Sequence, residues 1–375
     1  MSNFNRRDAV KGGAALGAAA AFGIRPSGAT PPHRLDFGVI GLNHGHIYSQ
    51  CAAVIRGGGR LTHFYAVEDD LAAEFQNRFP EAKRVSDERE IIEHETIRLV
   101  VSAAIPAQRA PIGIRVMKAG KDYMADKPGI TSLEQLAEVR RVQKETGSIY
   151  SISYSERFEN YGTIRASELV AKGAIGDVIQ TIGLGPHRIR PATRPDWFWD
   201  PAQFGGIICD IGSHQMDQFL HFTGSTEAEV VASQTGNFHN EVHPDFQDFG
   251  DAMLRGNGGV GYVRIDWFTP EGLGYWGDGR LMVLGTDGYI DLRKYVDIGG
   301  APGRDHLFLV DQKEIRQIDC SDVVPPYGPQ LVDDVLNRTE TAMSQAHCFL
   351  ATELALKAQA QASRADTFTP PKMPG

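Results

Sequence analysis

Residues 35–46 read LDFGVIGLNHGH, an apolar run that ends in a glycine turn. Leu35 to Ile40 predict a buried strand, and Gly41 predicts the tight turn into a helix. Further apolar runs and one helical pattern follow in an order that suits alternating strands and helices: 61–67, 99–104, 122–125, the helix 131–146 and 149–154. Such alternation predicts a parallel sheet that is covered on both faces. We therefore expect a Rossmann dinucleotide-binding domain over residues 34–150. Within it, Thr131 and Glu134 fit a capping box at the start of the helix 131–146.

The rest of the chain has a different pattern, with long strand-like runs and few helices between them. The runs lie at 178–184, 229–234, 252–254, 261–268, 281–284 and 289–292, and helices are expected near 161–172, 206–223 and 346–364. Strands without intervening helices favour an antiparallel sheet. The expected fold is thus α/β, with a second α+β domain over residues 151–375 that carries a large, mostly antiparallel open sheet.

Length and composition agree with two domains of a globular protein. The chain has 375 residues, more than one hydrophobic core supports, and 42% of them are hydrophobic and 23% charged. This balance excludes a disordered chain, a collagen-like fibre and a membrane bundle. The formal net charge is −9, and no dense Lys/Arg stripe is present, which argues against a nucleic-acid partner. The four cysteines are scattered without a CxxC pair, so a disulfide scaffold and a cysteine zinc site are excluded.

The first residues have the pattern of a twin-arginine export signal, which we place at 1–29. Arg6 and Arg7 precede a mild Ala- and Gly-rich run, and Ser27 and Ala29 supply small residues for cleavage after Ala29. The same residues also fit an N-terminal tail that is flexible or lies on a membrane. The apolar run is too short to span a bilayer. We expect a mature protein without a membrane anchor, in the periplasm or outside the cell.

The turn after the first strand is a loose match to a dinucleotide fingerprint. Gly41 and Gly45 fit, but Asn43 stands at the second glycine position and His46 at the third. Asn tolerates a positive φ better than other non-glycine residues, so the turn can still form. Glu68 ends the second strand, where a carboxylate binds a ribose hydroxyl and repels a 2′-phosphate; this favours NAD over NADP. An ordinary strand-to-helix turn and a solvated carboxylate fit the same residues.

Two further groups of residues carry chemistry. Lys127, in Asp126-Lys127-Pro128, ends a strand at the carboxyl edge of the sheet, where open α/β folds bind ligands. On a helix Asp210 and His214 share one face with Asp217, which suits a catalytic acid–base group or a divalent metal. Because no clear further ligand is near them, we expect no metal there. His44 and His46 also pair beside the cofactor turn, but two ligands alone do not make a metal site.

In combination these motifs resemble the Gfo/Idh/MocA family of sugar and cyclitol oxidoreductases. The likeness covers nearly the whole chain after the signal, and the matching motifs are Asp126-Lys127-Pro128, Arg157-Phe158, Gly173-Ala174-Ile175-Gly176, the Asp210–His214–Asp217 helix and Gly285-Thr286-Asp287-Gly288. The chain departs from the family at three places. Asn43 replaces a glycine, Asp126 replaces a glutamate, and the stretch 105–110 lacks the usual hydroxyl and His.

The resemblance implies roles for individual residues. His214 would act as general base, Lys127 would stabilise the developing oxyanion, and Asp210 would hold the sugar and the lysine. The cofactor-binding residues it implies are Gly41, Leu42, Asn43, His44, Gly45, Glu68, Ile105, Pro106, Asp126 and Lys127. The substrate-binding residues it implies are Arg157, His187, Trp197, Asp210 and His214.

The implied function is hydride transfer between NAD and a hydroxyl carbon of a sugar, sugar acid or cyclitol. Some relatives are NAD-dependent glycosidases that oxidise transiently and eliminate, and others are non-catalytic dinucleotide-binding regulators. Free NAD is scarce outside the cytoplasm, so an exported enzyme would gain from retaining its cofactor tightly. The family's open sheets pair face to face, which implies a homodimer or homotetramer.

Overall fold

The computed structural model describes residues 32–366, so the predicted export signal lies outside the described residues. Two sheets organise the chain, one of six strands and one of nine. Among residues 32–366, no helix is both long and apolar enough to cross a bilayer. The predicted fold class, a Rossmann domain followed by a domain with a mostly antiparallel sheet, is confirmed.

The first sheet has the strand order β3-β2-β1-β4-β5-β6, and every pairing in it is parallel. Its strands are β1 (Leu35–Ile40), β2 (Gly59–Tyr65), β3 (Lys83–Arg84), β4 (Ile97–Ser102), β5 (Asp122–Asp126) and β6 (Tyr150–Ser153). Its helices are α1 (His46–Arg56), α2 (Asp69–Arg78), α3 (Arg89–Ile92), α4 (Pro106–Lys118) and α5 (Leu133–Thr146). All six residues of β1 are buried, as a central strand covered on both faces requires.

The turn after β1 depends on its glycine. Gly41 has a φ of +83°, and a Cβ there would lie 2.5 Å from the Cβ of Ala104. A larger residue would therefore both strain the backbone and collide with the end of β4. Asn43 is not among the positive-φ residues of the described chain. The turn thus does not use the tolerance that we invoked for Asn43.

The second sheet has the order β14-β13-β12-β11-β7-β10-β9-β8-β15. Its strands are β7 (Val178–Pro186), β8 (Ala228–Gly236), β9 (Phe249–Gly256), β10 (Gly259–Asp266), β11 (Arg280–Gly285), β12 (Gly288–Arg293), β13 (His306–Asp311), β14 (Ile315–Ile318) and β15 (Ser363–Arg364). The pairs β7–β10 and β8–β15 are parallel and the others antiparallel.

The remaining helices are short near the domain junction and longer toward the end of the chain: α6 (Ser155–Phe158), α7 (Tyr161–Ala171), α8 (Pro201–Phe204), α9 (Ser213–Thr223), α10 (Tyr327–Asn337) and α11 (Gln345–Gln361). Short 3₁₀ segments lie at Pro191–Thr193, Asp196–Trp199 and Glu271–Leu273. A π-helical turn, Ile208–Gly212, precedes α9 directly.

The last two helices return to the first domain. The Tyr327 hydroxyl lies 2.7 Å from Ser151 Oγ, and the Gln345 side chain accepts the Tyr150 backbone N–H at 2.9 Å. Arg338 donates to both oxygens of Asp122 at 2.6 and 3.0 Å. The segment between β14 and β15 therefore packs against the edge of the first sheet, and one hydrophobic cluster spans the two domains.

Three local predictions need correction. The cap of α5 is Ser132, whose side chain accepts the Gln135 N–H at 3.1 Å, rather than the Thr131–Glu134 pair. The predicted helix 206–223 is split into the π-helical turn and α9. The final predicted helix ends at Gln361, and β15 follows it as an edge strand.

Candidate active site

Lys127 joins the two domains at the carboxyl edge of the first sheet. It follows β5 directly, and its side chain is 5% exposed. Its Nζ donates to Asp210 Oδ1 at 2.8 Å. Such an ion pair, out of bulk water, holds an ammonium group at a fixed position. The structure thus brings together two of the three predicted catalytic residues, which lie 83 positions apart in the chain.

The third predicted catalytic residue, His214, lies in α9, directly after the π-helical turn. His214 lies one residue into α9, is 3% exposed, and its Nδ1 has no hydrogen-bond partner among the described residues. Burial lowers the pKa of His214 to about 3, and the positive charge of Lys127 acts in the same direction, while Glu156 opposes it. The imidazole is therefore neutral at neutral pH and able to accept a proton.

A buried ion pair that the sequence analysis missed lies behind His214. Lys294 is 0% exposed, and its Nζ donates to Glu156 Oε2 at 2.5 Å and to Gln218 Oε1 at 2.8 Å. The same carboxylate oxygen accepts from Gln215 at 3.2 Å. Burial raises the pKa of Glu156, but Lys294 outweighs this and holds it at about 2. A negative charge is thereby fixed close to the catalytic helix. Glu156 adjoins the recognised Arg157-Phe158 pair, which was the one signal available in the sequence.

Arg157 is engaged within the protein. Its guanidinium donates to both oxygens of Asp217 at 2.7 Å, and Asp217 also lies 2.8 Å from His347 Nε2. Asp217 is fully buried; burial raises its pKa, but Arg157 and His347 hold it below its usual value. The three residues tie α9 to α6 and α11. The predicted substrate contact of Arg157 is untested by this geometry.

His187 lies close enough to Lys127 and Asp210 for their charges to change its pKa. It follows β7, and its Nδ1 lies 3.0 Å from the carbonyl oxygen of Gly185. Burial and then Lys127 lower the pKa of His187 to about 4. The substrate role of His187 stays a prediction. Trp197 is part of the 3₁₀ segment Asp196–Trp199, where its ring packs edge-on to Phe198 at 6.4 Å.

Arg194 is a further charged residue that the sequence analysis did not identify. Its guanidinium stacks over Phe198 at 4.3 Å and Trp267 at 4.9 Å, and Nε donates to the Ile189 carbonyl at 2.6 Å. Burial lowers the pKa of Arg194 to about 10, while the nearby Asp210 carboxylate acts in the opposite direction. Asp210 thus interacts with two cations, with Lys127 by an ion pair and with Arg194 through longer-range electrostatics.

The predicted cofactor turn leads directly into helix α1, which begins after Gly45. The first N–H groups of this helix donate within the chain: the His46 N–H to His44 Nδ1 at 3.2 Å, the Ile47 N–H to the His44 carbonyl at 3.2 Å and the Tyr48 N–H to the Gly45 carbonyl at 3.4 Å. Glu68 follows β2, and its carboxylate accepts the Asn43 side-chain N–H at 2.7 Å. Leu42 is buried beside Gly41. Glu68 therefore fits a ribose hydroxyl, whereas a diphosphate at the start of α1 stays a prediction. Asn43 orients that carboxylate, a function that a glycine at this position could not perform.

The remaining predicted cofactor residues lie around β5. Ile105 and Pro106 lie shortly after β4, where Pro106 begins α4. Asp126 is fully buried and contacts four groups, one of them the backbone N–H of Lys127 at 2.8 Å. The others are His46 Nδ1 at 2.9 Å, Arg109 at 3.1 Å and His44 Nδ1 at 3.3 Å. Burial raises the pKa of Asp126, but His46 and Arg109 hold it well below the usual value.

Comparisons with protein families match most of the chain. Residues 35–154 match a model described as an oxidoreductase family with an NAD-binding Rossmann fold, and residues 163–291 match a GFO/IDH/MocA C-terminal domain.

Comparisons with individual proteins agree. A putative oxidoreductase structure from Erwinia carotovora is 46% identical, with a TM-score of 0.86 over 88% of this chain and 99% of that one. The scyllo-inositol 2-dehydrogenase (NADP⁺) IolW of Bacillus subtilis is 28% identical over 46% of this chain and 48% of that protein. That alignment thus spans about half of the relative's length. Levoglucosan dehydrogenase, in a complex with NADH and levoglucosan, shares the fold with a TM-score of 0.71 at 19% identity, over 88% of this chain and 98% of that one.

Proposed function

The chain belongs to the GFO/IDH/MocA oxidoreductase family, and from this we propose that it transfers hydride between NAD and a sugar, sugar acid or cyclitol. The observation that carries the proposal is the Lys127–Asp210 pair at 2.8 Å beside the buried His214. The relatives act on alcohols of this class by name, inositol and levoglucosan among them.

Each catalytic residue has a distinct task. The bound nicotinamide would supply or accept the hydride at the substrate carbon. His214 is neutral, so it takes the hydroxyl proton when the alcohol is oxidised. The Lys127 ammonium stabilises the negative charge that grows on the same oxygen. Asp210 positions Lys127 and accepts a hydrogen bond from a neighbouring substrate hydroxyl.

We assign NAD rather than NADP as the preferred cofactor. Glu68 carries a negative charge at the end of β2 and is oriented by Asn43. A carboxylate binds the free ribose hydroxyls and repels a 2′-phosphate.

Export through the signal at 1–29 is also part of the proposal, and so is a cofactor that the protein retains during export.

We further propose that the protein assembles through the outer face of the second sheet. Met253, Tyr262, Ile182 and Met282 form a row across four paired strands on this face. Met253 is 53% exposed and Met282 is 40% exposed. A contiguous apolar row on a sheet face is typical of an interface. Size-exclusion chromatography with light scattering tests this, since Met253→Glu should yield monomers and Val242→Glu, in an exposed loop, should not. A monomeric wild-type protein would contradict it.

The principal experiment begins with nucleotide release from the purified, denatured protein. Stoichiometric NAD(H) indicates a retained cofactor, and the protein is then tested with pairs of sugars and with aryl glycosides. An empty protein is tested for NADH formation with added NAD and a panel of cyclitols, sugars and sugar acids. Release of an aglycone without net NADH would favour the elimination mechanism instead. A protein that binds neither NAD(H) nor NADP(H) would refute the proposal.

A further inference from the structure

Two histidines of the turn after β1 and the aspartate at the end of β5 lie close together: His44, His46 and Asp126. His44 and His46 lie in the turn before and at the start of α1, and Asp126 ends β5. Their ligand atoms all lie within 4.8 Å of one another. The sequence offered only the two histidines, because Asp126 lies 80 residues away from His46. The structure supplies the third group that the histidine pair lacked.

One oxygen of this group has no hydrogen-bond donor within the described part of the chain. Asp126 Oδ2 is buried and has no hydrogen-bond partner among residues 32–366, although Arg109 lies 3.1 Å away as an ion pair. His44 Nδ1 faces that oxygen at 3.3 Å. This nitrogen accepts the His46 backbone N–H at 3.2 Å, which places the ring proton on Nε2. His44 Nδ1 and Asp126 Oδ2 thus face each other as two lone-pair atoms without a proton between them, and a metal ion would bind both in addition to the Arg109 guanidinium that already lies at this oxygen.

We propose that His44, His46 and Asp126 form a binding site for one divalent transition-metal ion. Zinc binds imidazole nitrogen and carboxylate oxygen at about 2.0–2.2 Å, so tetrahedral ligand atoms lie about 3.3 Å apart. The observed separations are 3.3 Å from His44 Nδ1 to Asp126 Oδ2 and 2.9 Å from His46 Nδ1 to Asp126 Oδ1, and one ligand atom of each residue lies within 4.8 Å of the other two. Small side-chain shifts therefore suffice, and the ion replaces the weak contact between His44 Nδ1 and the His46 N–H.

The surrounding charges select the kind of ion. Arg109 already balances the Asp126 carboxylate, so the site has little net negative charge to attract a hard cation. Mg²⁺ and Ca²⁺ need several oxygen ligands, and only one carboxylate is present in this cluster of described residues. Zn²⁺, Co²⁺ and Ni²⁺ bind neutral imidazoles well. The Lys127 ammonium group does not compete with the metal ion for the Asp126 carboxylate, because it pairs with Asp210.

The surroundings of Asp126 resemble those of a metal-ligating carboxylate. The backbone N–H of Lys127 donates to Oδ1 at 2.8 Å, and Arg109 holds the other oxygen. Ligating carboxylates are oriented by such contacts. The His44 and His46 side chains are 31% and 21% exposed, so an ion can reach them from solvent. The site lies next to the predicted diphosphate and Lys127 positions, but the inference does not depend on hydride transfer.

The test uses the full chain without an affinity tag, stripped with a chelator and given one equivalent of Zn²⁺ or Co²⁺. We expect one ion per chain by elemental analysis, and visible d–d bands for bound Co²⁺. His44→Ala, His46→Ala and Asp126→Asn should each weaken binding by at least ~10-fold. His94→Ala is the matched control, since His94 and His63 form another ring pair, with centroids 4.6 Å apart. This variant should bind as the wild type does.

Two results would overturn the proposal: no retained ion in the wild type, or equal retention in the three ligand variants. If Asp126→Asn fails to fold, the two histidine variants decide, because their side chains are partly exposed. NADH binding is measured on the same samples. Failure to bind metal in a protein that still binds NADH refutes this inference alone.

Discussion

The ammonium group of Lys127, at the end of the first sheet, lies 2.8 Å from the Asp210 carboxylate in the π-helical turn of the second domain. This contact joins residues from two domains and places both beside His214. Since neither domain contains the whole set, the site exists only when the domains are packed together.

The first prediction concerns the catalytic residues. Lys127→Ala and His214→Ala should each lower kcat by roughly 10²–10⁴-fold, because a positioned acid–base or electrostatic group contributes about that much. Circular dichroism should show an intact fold. Lys144→Ala, an exposed lysine of α5, is the control and should retain full activity. Near-normal turnover of either catalytic variant would remove that residue from the mechanism.

The second prediction concerns pH and stability. His187 and His214 have pKa values of about 4 and about 3, lowered first by burial, whereas unfolded histidines titrate near ~6.5. Between these values the unfolded state binds more protons, so the free energy of unfolding falls as the pH drops below ~6.5. Denaturant titrations at pH 7 and pH 5 should differ by a few kcal/mol, since lowering a pKa by one on folding corresponds to about 1.4 kcal/mol.

His214→Gln should reduce that difference, because it removes one of the histidines whose pKa is lowered. His221, whose pKa burial lowers to about 3, and His44, whose pKa burial lowers well below its usual value, act in the same direction and should leave part of the difference in place. The interval from pH 5 to pH 7 lies above the pH range in which the lowered pKa values of Asp126, Asp217 and Glu156 would change the free energy of unfolding. Equal stability at the two pH values would show that these histidines are solvated.

The third prediction concerns the buried Glu156–Lys294 pair. Glu156→Gln or Lys294→Met should each lower the free energy of unfolding by about 3–5 kcal/mol, because a buried charge loses its partner. The double variant should recover part of the loss. Glu156 also raises the pKa of His214, so Glu156→Gln should shift the His214 titration further down, as NMR would show. A purely structural role would leave that titration unchanged.

The fourth prediction concerns cofactor choice. Glu68→Ala should weaken NADH binding roughly tenfold, the value of a hydrogen bond to a charged group, and should improve NADPH relative to NADH. Asn43→Ala should have a smaller effect in the same direction, because it removes the 2.7 Å bond that orients Glu68. Fluorescence titration with both nucleotides measures the ratio, and an unchanged ratio in Glu68→Ala would contradict the NAD assignment.

Much of this protein could be read from local patterns. Alternating apolar runs and glycine turns predicted the parallel first sheet, and strand-like runs with few helices between them predicted the second. Both signals depend on periodicity and turn residues, which are local properties of the sequence. The ordered motifs around Lys127, Asp210 and His214 predicted the candidate catalytic residues. The prediction at α5 was wrong because Ser132 and Thr131 are neighbouring residues that both make good caps, and the helix uses Ser132.

The tertiary structure alone decided which distant residues meet. Glu156 pairs with Lys294 across 138 residues, and Asp126 meets His46 across 80. A buried Lys or Asp looks like a surface residue in the sequence, because nothing local shows its burial or its partner. The return of α10 and α11 onto the first domain was likewise invisible. Local sequence therefore determined the secondary structure and the chemical groups, while long-range packing determined which charges are buried and which neighbours neutralise them.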